Sequence, residues 1–365
     1  MNPLEILIHE MITENGPLSL ETYMALALTH PVHGYYVSKM PLGQSGDFIT
    51  GPEISQMFGE LIGVWCAAAW RSMGKPQPLL LVELGPGRGT LMADALRAAR
   101  VAPDFLSAID IHLVETSETL QQCQRMALKD LDRAVSWHAS TEELPDGPAI
   151  IVANEFFDCL PIRQFVRSTT GWHDRLIGLN GEGGLCFGLA PGPEPSLIAP
   201  GEPGQIFEAG FVAARLMSRL GERICLQGGA LLVVDYGYDA PQHGATLQAV
   251  RCHRFADPLL DPGEADLTAH VDFCALARAA RAVGAIVHGP VPQGEWLTRL
   301  GLYERAAKLR EQATGHQNAA IDSALQRLAG EGQGSPAEDM GRLFKALAVT
   351  RPRLSVLPGF ETPAV

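Results

Sequence analysis

The sequence predicts an α/β protein built on an open, mostly parallel sheet, and three observations carry that expectation. Apolar runs at 79–84, 108–116, 135–139, 149–153 and 230–235 have the near-continuous hydrophobicity of strands buried on both faces. The first run ends in Gly85-Pro86-Gly87-Arg88-Gly89 and reopens as a helix, giving the order strand, tight turn, helix. Glu83 sits inside that run, two residues before the first glycine, and an apolar strand rarely holds a carboxylate without a reason.

In open α/β sheets the crevice at such a strand end binds ligands. Glycines let a ligand approach the backbone, and the helix start offers unpaired N–H groups. The dinucleotide fingerprint asks for Gly or Ala at its sixth position, where this chain has Thr90, so a nicotinamide site is disfavoured. A glycine turn alone fits a cofactor cradle, a nucleotide site or a structural loop.

The bulk properties narrow the choice. With 365 residues, 46% hydrophobic and 19% charged, the chain can bury a large core. A net charge of −13 argues against a nucleic-acid partner, since phosphate contacts need clustered Lys and Arg. Seven dispersed cysteines without a C-x-x-C spacing indicate neither a disulfide framework nor a zinc site, and no metal is expected. The first ten residues carry Glu5 and Glu10 and no basic region, and the longest apolar stretch, 61–70, is too short to span a bilayer. The expectation is a soluble, cytoplasmic protein with no membrane contact.

Taken in order, Leu4, Leu7, Ile8 and Met11 recur at helical spacing, so 3–14 is expected as a helix, and Ser19 caps a second helix reaching Thr29. Residues 30–37 are turn-rich and aromatic, 43–53 form a glycine-rich loop, and 54–73 return to helical spacing. By composition that loop is either a connector or a lid. The 108–116 run ends at Glu115, whose acceptor-only carboxylate suits a diol, although a solvated strand-end glutamate reads the same. Ser140 and Thr141 follow the third run, where they either line a site or cap a turn. The fourth run delivers Asn154, Glu155 and Asp158 to the crevice, with Asn154 and Asp158 also able to cap the turn.

Residues 162–227 are too long for one crossover and read as strands at 164–168, 172–179 and 185–189, a loop at 191–203 and a helix at 208–220. After the fifth strand come a helix at 271–283, a strand at 285–291, a helical segment at 295–331 broken near Thr314-Gly315, and a strand at 343–350. Seven strands are thus expected in the main sheet. Neither a repeat nor a low-complexity linker divides the chain, so a single domain is expected: N-terminal helical extension and lid 1–74, core 75–350, and cap insertions at 162–227 and 295–336.

Glu83-x-Gly85-x-Gly87-x-Gly89 resembles the first motif of class I S-adenosyl-L-methionine (SAM) methyltransferases. More specific blocks follow the order of one family within that class. They are Gly46-Asp47-Phe48-Ile49-Thr50, then Pro52-Glu53-Ile54-Ser55-Gln56, the loop itself, His112-Leu113-Val114-Glu115-Thr116-Ser117, Asn154-Glu155-Phe156-Phe157-Asp158, and the 261–273 segment. They resemble the family of the mitochondrial protein-arginine methyltransferase of respiratory complex I assembly and its bacterial relatives.

The resemblance implies a class I fold, a seven-stranded mostly parallel sheet with helices on both faces, and SAM as cofactor. It implies that Glu83, Gly85, Pro86, Gly87 and Gly89 face the methionine half of the cofactor, Glu115 and Thr116 the ribose, and Asn154 the same pocket. Gly46, Phe48 and Thr50 would belong to a lid, with Phe48 as a plain core contact the alternative. Glu155 and Asp158 are the candidate catalytic carboxylates, since paired carboxylates match a planar guanidinium; Asp235, His270 and Asp272 are reserves. The implied partner is a protein substrate, with a complex I subunit as the candidate, while a small-molecule acceptor or a non-catalytic assembly role stays open. Oligomeric state is open too, a homodimer included.

Overall fold

The computed structural model describes residues 1–38, 50–330, 340–352, 354 and 357–361. They fall into two compact units, each assembled from three stretches of chain: 1–38, 157–216 and 238–275 in one, 50–156, 217–237 and 276–361 in the other.

The second unit holds the main sheet. Its strands are β1 (Leu79–Leu84), β2 (Ile109–Val114), β3 (Val135–His138), β4 (Ala149–Asn154), β5 (Gly229–Tyr238), β6 (Ile286–Pro292) and β7 (Phe344–Thr350). They pair in the order β6-β7-β5-β4-β1-β2-β3. The pairs β3-β2-β1-β4-β5 are parallel, with Val82 opposite both Ile151 and His112, while β7 runs antiparallel to β5 and β6. All residues of β1, β4 and β7 are buried, which is why these strands read as unbroken apolar runs.

One face of this sheet, through Leu79, Leu81, Ile150, Val152, Leu232 and Val234, joins a core with Leu61 and Trp65 of the helix Gln56–Ser72 and with Leu91 and Leu96 of Thr90–Ala98. Trp296, Leu297, Leu302 and Leu328 enter the same core. The helical segment expected at 295–331 is three helices, Gln293–Arg299, Leu302–Arg310 and Gly315–Ala329. Its unforeseen break falls at Gly301, whose φ of 95° ends the first of them. Glu60, expected only as a helix residue, is buried and held by Arg305 Nε at 2.7 Å and Arg97 Nη2 at 3.0 Å, and these bonds hold its carboxyl below the usual range against the opposing effect of burial.

In the first unit the helix Pro3–Asn15 starts from a reciprocal Asn2–Glu5 capping box, and Ser19 caps Leu20–Thr29 as expected. Leu4, Ile8, Tyr23 and Met24 pack with Ile162, Ile177 and Leu267. The strand Trp172–Leu179 pairs antiparallel with Leu18–Ser19, Arg163–Arg167 and Leu185–Leu189. Three features differ from the sequence reading, the first being that Val271–Asp272, expected to open a helix, form a short strand before the helix Phe273–Ala282. Residues expected to open a helix at 208 instead form the strand Ile206–Ala209, paired with Arg163–Arg167, before the helix Phe211–Gln227. A three-stranded sheet of Gln248–Arg251, Arg254–Ala256 and Asp266–Thr268 was not foreseen, because strands this short carry little periodicity. No described helix is long and apolar enough to cross a membrane.

Candidate functional site

At the C-terminal end of β1 the three glycines all adopt left-handed backbone, with φ of 59°, 53° and 82° at Gly85, Gly87 and Gly89. An L side chain is disfavoured at each, which accounts for the spacing of the motif. Pro86 is buried beneath the turn, and its carbonyl accepts from Gly89 N–H at 2.8 Å. The loop is anchored to β2, Gly85 N–H donating to Val114 O at 3.0 Å. Phe156 closes one side, since a Cβ built on Gly85 would sit 2.8 Å from its ring.

Glu83 is buried, and its Oε2 meets no hydrogen-bond donor among the described residues. Burial, with a smaller contribution from nearby Glu115, pushes its carboxyl up to about 8, only partly offset by the Met92 N–H. Glu115, at the end of β2, is also buried and also raised by burial. Ser117 N–H donates to its Oε1 at 2.8 Å and Gln124 Nε2 to its Oε2 at 3.1 Å. The Thr116 N–H adds a smaller contribution, and a carboxylate with about four acceptor sites keeps capacity for a further donor. Thr116 is exposed beside it, and Ser117 caps the helix Glu118–Ala127.

Asn154 and Glu155 close β4. Asn154 Nδ2 donates to Glu155 Oε1 at 3.2 Å, while Asn154 Oδ1 meets no donor among the described residues. Glu155 Oε1 also accepts from Gly51 N–H at 2.8 Å. Its backbone is left-handed, with φ of 48°, which is uncommon for a residue other than glycine. Asp235 is wholly buried and accepts from Phe156 N–H at 3.1 Å and Tyr236 N–H at 2.9 Å, so it braces the turn after β4.

The short helix Gly51–Ile54 brings a residue that sequence reasoning did not single out as a site residue. Glu53 accepts from Thr90 Oγ1 at 2.7 Å and from Arg88 Nη1 at 3.2 Å, tying this segment to the glycine turn. The only sequence signal was its place in the Pro-Glu-Ile-Ser block. The long helix expected to open at 54 opens at Gln56, because Ser55 is extended and its hydroxyl caps Met57 N–H. Thr50 offers its carbonyl to Glu53 and Ile54 N–H. Gly46 and Phe48, the other expected lid residues, lie outside the described residues.

Asp158 falls in the other unit, where it is buried; its carbonyl accepts from Ala269 N–H at 2.9 Å, and burial, then Asp266, with a smaller part from Asp158, hold the Tyr36 hydroxyl protonated. Tyr36 donates to Asp266 Oδ1 at 2.8 Å in the same unit. Asp272 caps the helix Phe273–Ala282 by accepting from Ala275 N–H, and His270 N–H donates to Thr246 Oγ1. Ser140 makes no side-chain cap to the turn Thr141–Glu143.

The donor set can be tested against a cationic cofactor. Among the described residues, buried oxygens on Glu83 and Asn154 meet no donor, Glu115 keeps acceptor capacity, and three of the five loop residues are left-handed glycines. SAM brings an ammonium, a sulfonium and a ribose diol, and these residues fit it. Sheet order, glycine turn and the carboxylate after β2 together define a class I SAM-dependent methyltransferase.

The family model of S-adenosyl-L-methionine-dependent methyltransferases matches residues 61–291, and the chain belongs to that family. The mitochondrial protein arginine methyltransferase NDUFAF7 of Mus musculus is 39% identical over 328 residues, 83% of this chain and 75% of the mouse protein. NDUFAF7 of Danio rerio is 40% identical, covering 80% and 75%, and that of Homo sapiens 36% identical, covering 86% and 77%. A methyl transferase superfamily member from Burkholderia thailandensis, bound to S-adenosyl-homocysteine, superposes with a TM-score of 0.83 at 25% identity, covering 99% of this chain and 95% of that one. The protein is therefore an enzyme of the SAM-dependent methyltransferase class. One expectation is corrected. The NDUFAF7 relatives are named as mitochondrial proteins, which overturns the expectation of a cytoplasmic protein.

Proposed function

We propose that this enzyme methylates a guanidinium nitrogen of arginine in a protein substrate, with Glu155 as the carboxylate that receives the guanidinium. The observation that carries the reading is the backbone of Glu155, left-handed at the end of β4 with one oxygen tied by Gly51 and Asn154. Strained non-glycine backbone of this kind concentrates at functional sites. The names of the NDUFAF7 relatives, protein arginine methyltransferases all, support the choice of acceptor.

In this reading Glu83, Gly85, Pro86, Gly87 and Gly89 hold the methionine half of SAM, Glu115 and Thr116 the ribose, and Asn154 and Thr50 complete the pocket. Bound SAM would supply an electrophilic methyl group, whose bond to sulfur gives way to the new C–N bond and leaves S-adenosyl-homocysteine. Glu155 holds the planar cation in register, concentrates electron density on the attacking nitrogen and accepts its proton as the new C–N bond forms. Asp158 is the proposed second carboxylate on sequence position alone. A subunit of respiratory complex I is the candidate acceptor on the family resemblance alone.

The test is methyl transfer from labelled SAM to purified complex I subunits and to free arginine, with Glu155→Gln alongside. Glu155→Gln is expected to keep S-adenosyl-homocysteine affinity and lose at least about a hundredfold in transfer rate, the scale of a lost acid–base group. An unchanged rate would remove Glu155 from the chemistry. Efficient methylation of free arginine would sink the protein acceptor, and binding without transfer to any subunit would favour an assembly role.

A further inference from the structure

Gln124 is wholly buried on the helix Glu118–Ala127 and links three strand ends through one amide. Its Nε2 donates to the Gly87 carbonyl at 2.8 Å and to Glu115 Oε2 at 3.1 Å, and its Oε1 accepts from Trp137 Nε1 at 2.8 Å. An indole N–H only donates, while a carbonyl and a carboxylate only accept, so the partners decide which way round the amide stands. Both amide hydrogens are committed. The helix also packs closely on the loop, since a Cβ on Gly89 would lie 3.2 Å from Gln124 Cα.

Glu115 is held from its other sides as well. Its N–H donates to His138 O at 2.9 Å, its carbonyl accepts from Gln121 Nε2 at 3.0 Å, and Ser117 N–H takes Oε1. With Gln124 on Oε2 and the Thr116 N–H contributing further, the carboxylate is fixed from several sides and still has acceptor capacity for a ligand.

We propose that Gln124 is a positioning residue of the cofactor site, locking the Glu115 carboxylate and the Gly87 carbonyl into one arrangement so that both ribose hydroxyls are gripped at once. The proposal rests on the reading of Glu115 as the ribose ligand. A carboxylate free to rotate loses rotamer entropy each time it binds a diol, and a pre-oriented one does not. Gln124 thereby sets selectivity for an intact ribose as well as affinity.

The experiment is calorimetry on the full-length protein with S-adenosyl-homocysteine and its 2′-deoxy analogue. The wild-type chain is expected to bind the intact ligand about tenfold more tightly, the worth of one such hydrogen bond. Gln124→Met keeps the length of the side chain and removes the amide, and is expected to bring that ratio within about twofold. Trp137→Phe keeps an aromatic ring and removes the N–H that orients the amide; it is expected to lower the ratio by a smaller factor, and it carries the test if Gln124→Met does not fold. A merely structural Gln124 would weaken both ligands alike, so an unchanged ratio in either folded variant overturns the proposal while leaving Glu115 in place. Equal binding of the two ligands by the wild-type chain would overturn the Glu115 reading and the proposal with it.

Discussion

Glu83 keeps its proton at neutral pH because burial and Glu115 push it up to about 8, from an ordinary 4.5. Between those values the folded chain holds a proton that the unfolded chain has lost. By linkage, the contribution of this group to stability is full below about pH 4.5 and is lost as pH rises through about 8. Glu83→Gln removes the titration, so the ligand-free wild type is expected to lose stability relative to this variant on going from about pH 5.5 to about pH 8. Urea unfolding at the two values measures it. A constant difference between the two chains would mean that Glu83 does not titrate in this window. The same orphaned Oε2 that makes the carboxyl costly in the free protein suits a cationic ligand.

The glycine turn shows how an element constrains its residues. Left-handed backbone costs an L residue about 1–2 kcal/mol, and at Gly85 a Cβ would also strike Phe156. Gly85→Ala is expected to weaken S-adenosyl-homocysteine binding about tenfold or more, and Phe156→Ala in the same chain to recover part of it. Calorimetry on the four chains of that cycle separates collision from strain, and purely additive losses would leave the collision out. The motif was legible in the sequence; the ring that roofs it was not. Phe156 reaches Gly85 only because β4 lies beside β1 in the sheet, with Leu84 opposite Ala153.

For the whole molecule, a ligand that binds only the folded state stabilises it by RT ln(1 + L/Kd), which grows with the logarithm of the free ligand concentration L. S-adenosyl-homocysteine at about 100 times its dissociation constant is expected to add about 2.7 kcal/mol, and NAD nothing. A thermal-shift series reads this directly, and an equal shift with NAD would contradict the cofactor. The net charge of −13 suits a cationic cofactor and a basic acceptor segment more than any polyanion.

By itself the sequence determined the seven sheet strands and the crevice. Doubly buried strands are apolar along most of their length, and left-handed positions favour glycine, so both features are written locally. Family blocks named the class, yet no local pattern identified the compartment, and the mitochondrial relatives corrected it. Tertiary structure decided which side chains meet. Glu53 reaches Thr90 and Gln124 reaches Gly87, each across 37 positions, and neither pairing leaves a trace in spacing or composition. Likewise, only the packed turn after β4 gives Glu155 its left-handed backbone. Glu155 and Asp158, three positions apart in sequence, belong to different units, because each unit is drawn from three distant stretches. Such partnerships depend on strand register and side-chain reach, which exist only once the chain has folded.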